Sequence, residues 1–140
     1  MKIYTDGSST GKVGSGGWAF LVVNDDESEG LLFSGNDQET TNNRMELKAI
    51  ISALEYCLEI GLKKPVIISD SQYAIGVLTR QFRASTNLDL VESGRVLVHR
   101  VHPSLFWVRG HSKNQLHDIV DQEAKRVRLA SERIPRGEGH

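Results

Sequence analysis

The chain has 140 residues, of which 39% are hydrophobic and 25% charged, with a formal net charge of −1. This suits one domain over residues 1–140 with a real core, and it argues against tight, indiscriminate nucleic-acid binding through massed lysine and arginine. The lone Cys57 excludes an intramolecular disulfide and a thiolate metal cluster. No apolar run approaches a membrane span, and Met1-Lys2-Ile3 leads straight into a strand pattern without a signal peptide, so the expectation is a cytoplasmic protein with no membrane partner.

Residues 2–6 form a short apolar-rich run that reads as a first strand. The segments 7–11 and 14–17, rich in Gly and Ser, are turn signals, and residues 18–23 are strongly β-favouring. The acidic stretch 24–30 reads as a hairpin loop before a third strand at 31–35. The period then changes. Asn42 or Asn43 can cap a helix running to about residue 60, where Gly61 stops it. Ala49, Ile50, Ala53, Leu54 and Cys57 share one face of that helix, and Lys48, Ser52, Glu55 and Glu59 share the other.

Residues 65–68, opening on Pro65, form a continuous apolar run, the mark of a strand buried on both sides in a parallel sheet. Asp70-Ser71 can cap a short helix through residue 78. A further helix is expected over 87–101, a fifth strand over 105–108 after the break at Pro103, and a last helix over 115–132. Residues 134–140 read as a frayed tail. Three meandering strands followed by alternating helices and strands give a mixed α/β sheet, in which ligands bind beyond the carboxyl ends of parallel strands.

Four carboxylates stand where a carboxylate is awkward unless it binds something: Asp6, Glu46, Asp70 and Asp121. Asp6 ends the first strand, where it forms a turn or serves as a ligand; Asp70 follows the buried strand, where it caps a helix or serves as a ligand. Glu46 falls on the apolar helix face, where an ionised carboxylate is costly unless it pairs, for instance with Arg44, or coordinates a metal. On the last helix, Asp121 lies about 100° from the inward Val120 and Asp118 about 160° from it, so Asp121 is nearer the core edge. His111, after Gly110 in a loop, is a candidate proton carrier, whereas His99, His102, His117 and His140 carry no particular signal. Acidic groups brought together in this way need divalent cations, and a paired-metal carboxylate site suits in-line cleavage of a phosphodiester. Basic residues collect late, at Arg95, His99, Arg100, Arg109, Lys113, Lys125, Arg126 and Arg128, as a solvated face or a footprint for a polyanion.

The segments Tyr4-Thr5-Asp6-Gly7-Ser8, Thr40-Thr41-Asn42-Asn43-Arg44-Met45-Glu46-Leu47, Ser69-Asp70-Ser71-Gln72-Tyr73, Asn87-Leu88-Asp89-Leu90 and Val108-Arg109-Gly110-His111-Ser112, with Asp121 behind them, resemble the type 1 ribonuclease H family over nearly the whole chain. The resemblance implies a ribonuclease H-like fold, a five-stranded mixed sheet in the order 3-2-1-4-5 flanked by helices. It implies endonucleolytic cleavage of the RNA strand of an RNA–DNA hybrid by two-metal-ion hydrolysis, leaving 3′-hydroxyl and 5′-phosphate ends. By the same resemblance Asp6 bridges two Mg²⁺ ions, with Mn²⁺ able to substitute. Glu46 and Asp70 complete the ion at the leaving oxygen, Asp121 holds the ion at the attacking water, and His111 assists proton transfer or product release. Ser8, Ser9, Lys12, Asn42, Asn43 and Gln72 are placed to meet the hybrid, and Thr41 and Asn87 match positions that grip a phosphate of the DNA strand. RNA is told from DNA by its 2′-hydroxyl in a wide minor groove, which small polar groups can reach. The stretch 79–86 is short and lacks the basic, Trp-containing protrusion of many members. Two alternatives stay open: a nuclease of the same fold acting on another nucleic acid, and a catalytically silent binding domain. Nothing suggests an obligate interface, so a monomer is expected.

Overall fold

The computed structural model describes residues 1–26, 28–110 and 114–132. The expected roles of His111 and of the tail 134–140 lie outside the described residues. The elements run β1 (Lys2–Ser9), β2 (Gly14–Val23), β3 (Glu29–Thr40), α1 (Asn42–Glu59), β4 (Val66–Ser69), α2 (Gln72–Leu78), α3 (Leu88–Val101), β5 (Ser104–Trp107) and α4 (Gln115–Glu132). The five strands form one mixed sheet in the order β3-β2-β1-β4-β5, as expected. β1 pairs antiparallel with β2 and parallel with β4; β2 pairs antiparallel with β3, and β4 parallel with β5.

Side chains alternate across β1, and this alternation sorts the core into two layers. Ile3 joins Phe20, Val22 and Ile67 against Leu47, Ile50 and Leu54 of α1 and Val91 of α3. Tyr4 joins Ala19, Leu21 and Val23 against Val120 and Ala124 of α4. The 3.6-residue period of α1 places Ala49, Ile50, Ala53, Leu54 and Cys57 inside, as its sequence pattern requires. Each fully buried Leu or Ile contributes roughly 1.5–3 kcal/mol, so these two layers supply most of the drive to fold.

Several boundaries differ from expectation for local reasons. β1 does not stop at Asp6 but continues to Ser9, because its Gly- and Ser-rich end pairs with the equally Gly-rich start of β2: Gly7 faces Trp18 and Ser9 faces Gly16. These segments carry turn composition, yet the antiparallel ladder recruits them. The cap of α1 is Thr41 rather than Asn42 or Asn43; its hydroxyl accepts from the Arg44 amide at 3.2 Å. Ser71, not Asp70, caps α2, accepting from the Ala74 amide at 3.0 Å. Asp70 is thereby released from a capping role.

Candidate active site

Register across β1 and β4 builds the site. Tyr4 faces Ile68 in the parallel pair, so two residues further along the two segments stand Asp6 and Asp70. The parallel pairing has ended there, which leaves both carboxylates at the carboxyl edge where ligands of α/β sheets collect. Asp6 lies on the Tyr4 side by alternation, the side covered by α4. Its carboxylate accepts from the Gly7 amide at 2.9 Å. Gly7, next in the chain, faces α1: a Cβ there would sit 2.4 Å from both the Glu46 nitrogen and the Met45 carbonyl carbon. Glycine is what allows α1 to lie so close to β1, and that contact brings Glu46 toward the site.

Asp6, Asp70 and His117 each offer a ligand atom, and these atoms lie within 4.8 Å of one another. His117 Nε2 is 3.7 Å from Asp70 Oδ2. That is too long for a hydrogen bond, and the contact acts as a charge attraction. Glu46 and Asp121 stand outside this tight group, but both surround it: Glu46 feels the charges of Asp6 and Asp70, and Asp121 adds to the charge on Asp6. Asp121 is half-buried at the rim and accepts from Lys125 at 3.1 Å. Asp118 is exposed.

The electrostatics are those of carboxylates crowded together in a partly buried pocket. Burial, and then the charges of Asp70 and Asp121, push the Asp6 carboxyl up to about 8. Burial likewise drives Glu46 well above the usual carboxylate range, with Asp6 and Asp70 adding to it. Asp70 is held below its ordinary value by His117, which outweighs its partial burial. For His117 burial acts downward, but Asp70 and the other carboxylates reverse the sign and the imidazole is raised. Glu46 Oε1, Asp70 Oδ1 and both ring nitrogens of His117 are buried without a hydrogen-bond partner among the described residues. Buried polar atoms are ordinarily satisfied. A set of orphaned oxygens beside carboxylates that resist ionisation fits divalent cations, which would satisfy the lone pairs and reverse the repulsion.

The protein-family model described as RNase H matches residues 1–128. The chain belongs to the ribonuclease H family. Ribonuclease H of Treponema denticola is 31% identical over 150 residues, spanning 89% of this chain and 94% of that protein. Among solved structures, the N-terminal ribonuclease H domain of a Mycobacterium tuberculosis protein superposes with a TM-score of 0.82 at 20% identity, covering 94% of this chain and 96% of that one. LC11-RNase H1 in complex with RNA/DNA hybrid gives 0.76 at 21% identity, covering 91% and 98%. These likenesses, at low identity, show the ribonuclease H fold. The family is one of metal-dependent endonucleases, and the acidic group in this chain is able to bind metal.

Other family-matched positions are held in specific ways. Arg44 does not pair with Glu46; it makes a two-pronged contact with Asp89 at 3.0 and 2.8 Å and donates to Asn87 Oδ1 at 3.4 Å. Asn87, in a left-handed conformation with φ 55°, also donates to the Tyr73 hydroxyl at 3.1 Å. Thr41, at the N-cap of α1, is tied to the Arg44 amide, so Thr41 and Asn87 meet through Arg44. Ser8 accepts from Arg128 of α4 at 2.8 Å, and Lys12 is exposed in the β1–β2 turn. Asn42 and Asn43 are exposed on the first turn of α1, and Gln72 on that of α2; Ser9 is half-buried.

Sequence reasoning gave no role to His117 or to the indole of Trp107, which donates to the Asp70 carbonyl at 3.1 Å and pins that residue's backbone. A signal for His117 existed. It lies three residues before Val120, on the same inward stripe as Ala124 and Val127, and four before Asp121. A histidine on an apolar stripe is read as core, and nothing along the chain shows that this one faces two aspartates.

Proposed function

We propose that this protein hydrolyses the RNA strand of RNA–DNA hybrids, using Mg²⁺ held by Asp6, Glu46, Asp70 and Asp121, and leaves 3′-hydroxyl and 5′-phosphate ends. The observation that carries the reading is the convergence of Asp6 and Asp70 at the carboxyl edge, with the orphaned Glu46 Oε1 and Asp70 Oδ1 beside them. Family membership over residues 1–128 and the hybrid-bound LC11-RNase H1 support the choice of substrate. Divalent cations, when bound, supply polarisation of a water and neutralisation of charge on the phosphate.

The chain's own residues position and discriminate. Asp6 lies in β1 and Asp70 directly follows the neighbouring β4, so the register of the two strands brings the carboxylates to one edge. Ser8, Ser9, Lys12, Asn42, Asn43 and Gln72 meet the hybrid in this reading, as small or extended polar groups suited to the minor groove and its 2′-hydroxyls. Thr41 and Asn87, joined by Arg44, form a polar corner for one phosphate of the DNA strand. His111 assists proton transfer or product release from outside the described residues. Contacts of this kind read backbone shape, so cleavage has low sequence specificity. The same reading takes residues 1–140 as one domain acting as a monomer, which light scattering of the purified chain checks.

The test is a gel assay with labelled RNA–DNA hybrid, RNA duplex and DNA duplex, with Mg²⁺ or with chelator. Cutting of the hybrid alone, abolished by chelator, is the expected result. Equal cutting of DNA duplex would assign the fold to another nucleic acid, and binding without cutting would make it a silent binding domain.

A further inference from the structure

His117 is more than nine-tenths buried, and neither ring nitrogen has a hydrogen-bond partner among the described residues. An imidazole placed in the interior as a packing element still needs its polar nitrogens met. Here the ring is fixed in orientation. It packs T-shaped against Tyr4, with ring centres 6.1 Å apart and planes at 88°. The helix turn that carries it is anchored by Asn114, whose side chain accepts from the Leu116 amide at 2.8 Å and donates to the Tyr4 hydroxyl at 3.2 Å. Tyr4 is itself two residues before Asp6 in β1. The strand that presents the carboxylate therefore also sets the imidazole.

Nε2 lies 3.7 Å from Asp70 Oδ2, and a ligand atom from each of Asp6, Asp70 and His117 falls within 4.8 Å of the others. Two ligands about 2.1 Å from one ion are separated by roughly 3 Å at a right angle and about 4 Å when opposed. The contact is too long for a hydrogen bond and of the right order for two ligands of one cation. We propose that His117 Nε2 is a metal ligand beside Asp6 and Asp70, making a mixed nitrogen and oxygen site that takes a later first-row transition ion, Co²⁺ or Zn²⁺, more tightly than Mg²⁺. Imidazole suits such ions, whereas Mg²⁺ prefers oxygen donors and keeps its waters.

The inference rests on the metal-binding part of the proposed function, and it is read out by metal alone, so hybrid cleavage can succeed while this inference fails. The experiment titrates the purified full chain with Co²⁺, followed by visible absorption, and with Mg²⁺, followed by calorimetry; His117→Asn is treated identically, with circular dichroism as the check on folding. The expected result is a loss of at least tenfold in Co²⁺ affinity in the folded variant, with Mg²⁺ affinity within threefold of the parent. Unchanged Co²⁺ affinity in folded His117→Asn overturns the inference. The wild-type Co²⁺ adduct gives a second reading that needs no variant. A far-downfield, exchangeable imidazole proton in its NMR spectrum is expected, and the absence of any such resonance from Co²⁺-loaded protein overturns the assignment.

Discussion

Asp6 and Asp70 stand side by side because Tyr4 and Ile68 are in register across the parallel pair β1–β4. The two carboxylates come from positions 64 residues apart, yet each offers an oxygen within 4.8 Å of the other's. Substitution to Asn keeps the shape and removes the charge. In Asp6→Asn and Asp70→Asn, hybrid cleavage falls by at least about a thousandfold, equivalent to roughly 4 kcal/mol of barrier, while circular dichroism and melting show a folded chain. Near-normal turnover by either folded variant would remove that residue from the metal site.

Asp121 and Asp118 separate by their position on α4. Asp121 acts on Asp6 from the rim of the site, and Asp118 is exposed. Asp121→Asn reduces kcat/KM by about a hundredfold or more, equivalent to roughly 2.7 kcal/mol, and Asp118→Asn leaves it nearly unchanged. The reverse order in a side-by-side assay would move the fourth acidic role to Asp118.

The stability of the metal-free protein falls as pH rises from about 5 to about 8. Asp6 is raised from 3.8 to about 8, so in that window the folded chain retains a proton that the unfolded chain releases. Glu46 is raised too and adds in the same direction. His117, raised from 6.5, contributes stability that is present below its unfolded value and fades as pH climbs through its folded one. Asp70, lowered from 3.8, works the other way, but only around and below its ordinary value. Scanning calorimetry of chelated protein should give a Tm at least about 3 °C higher at pH 5 than at pH 8, the equivalent of roughly 1 kcal/mol. Divalent metal at pH 8 should restore the difference by binding only the folded form. A Tm that rises with pH in chelator would contradict the crowding of acidic groups described here.

Arg44 holds Asn87 and Asp89 from α1. Its pair with Asp89 is largely exposed, so removal costs less than about 1 kcal/mol of stability. Steady-state kinetics of Arg44→Ala should instead show KM for the hybrid rising about fivefold to tenfold with kcat within about twofold, the pattern of lost uniform binding. A selective fall in kcat would place Arg44 in the chemistry rather than in the grip on the DNA strand.

Gly7→Ala tests how α1 is docked. The added methyl would lie 2.4 Å from backbone atoms of Met45 and Glu46, which cannot rotate away. We expect a loss of about 1–3 kcal/mol in denaturant unfolding, together with a fall in cleavage as Glu46 is displaced. Unchanged stability would mean that the β1–α1 contact is looser than drawn.

Element order and sheet class were legible along the chain because hydrophobic period is a local property. The shift from alternating to helical spacing after residue 41 marks α1, and the unbroken apolar run before Asp70 marks a strand covered on both faces. Glu46 could be singled out for the same reason: a carboxylate on the buried stripe of a helix is anomalous wherever the helix packs. The Gly- and Ser-rich segments either side of residue 12 resisted such reading. Their composition favours turns, and only pairing with each other across β1 and β2 draws them into strands.

The amino-acid sequence by itself determined which residues are apolar, which carry charge and how each repeats, and therefore which carboxylates would be out of place in a core. Which of them share a site, and that His117 faces Asp6 and Asp70 while Arg44 turns away to Asp89, was decided by the tertiary structure alone. The physical reason is range. Periodicity and capping act over a few residues, whereas the meeting of residues 6, 70 and 117 depends on strand register and on the side of the sheet that α4 covers.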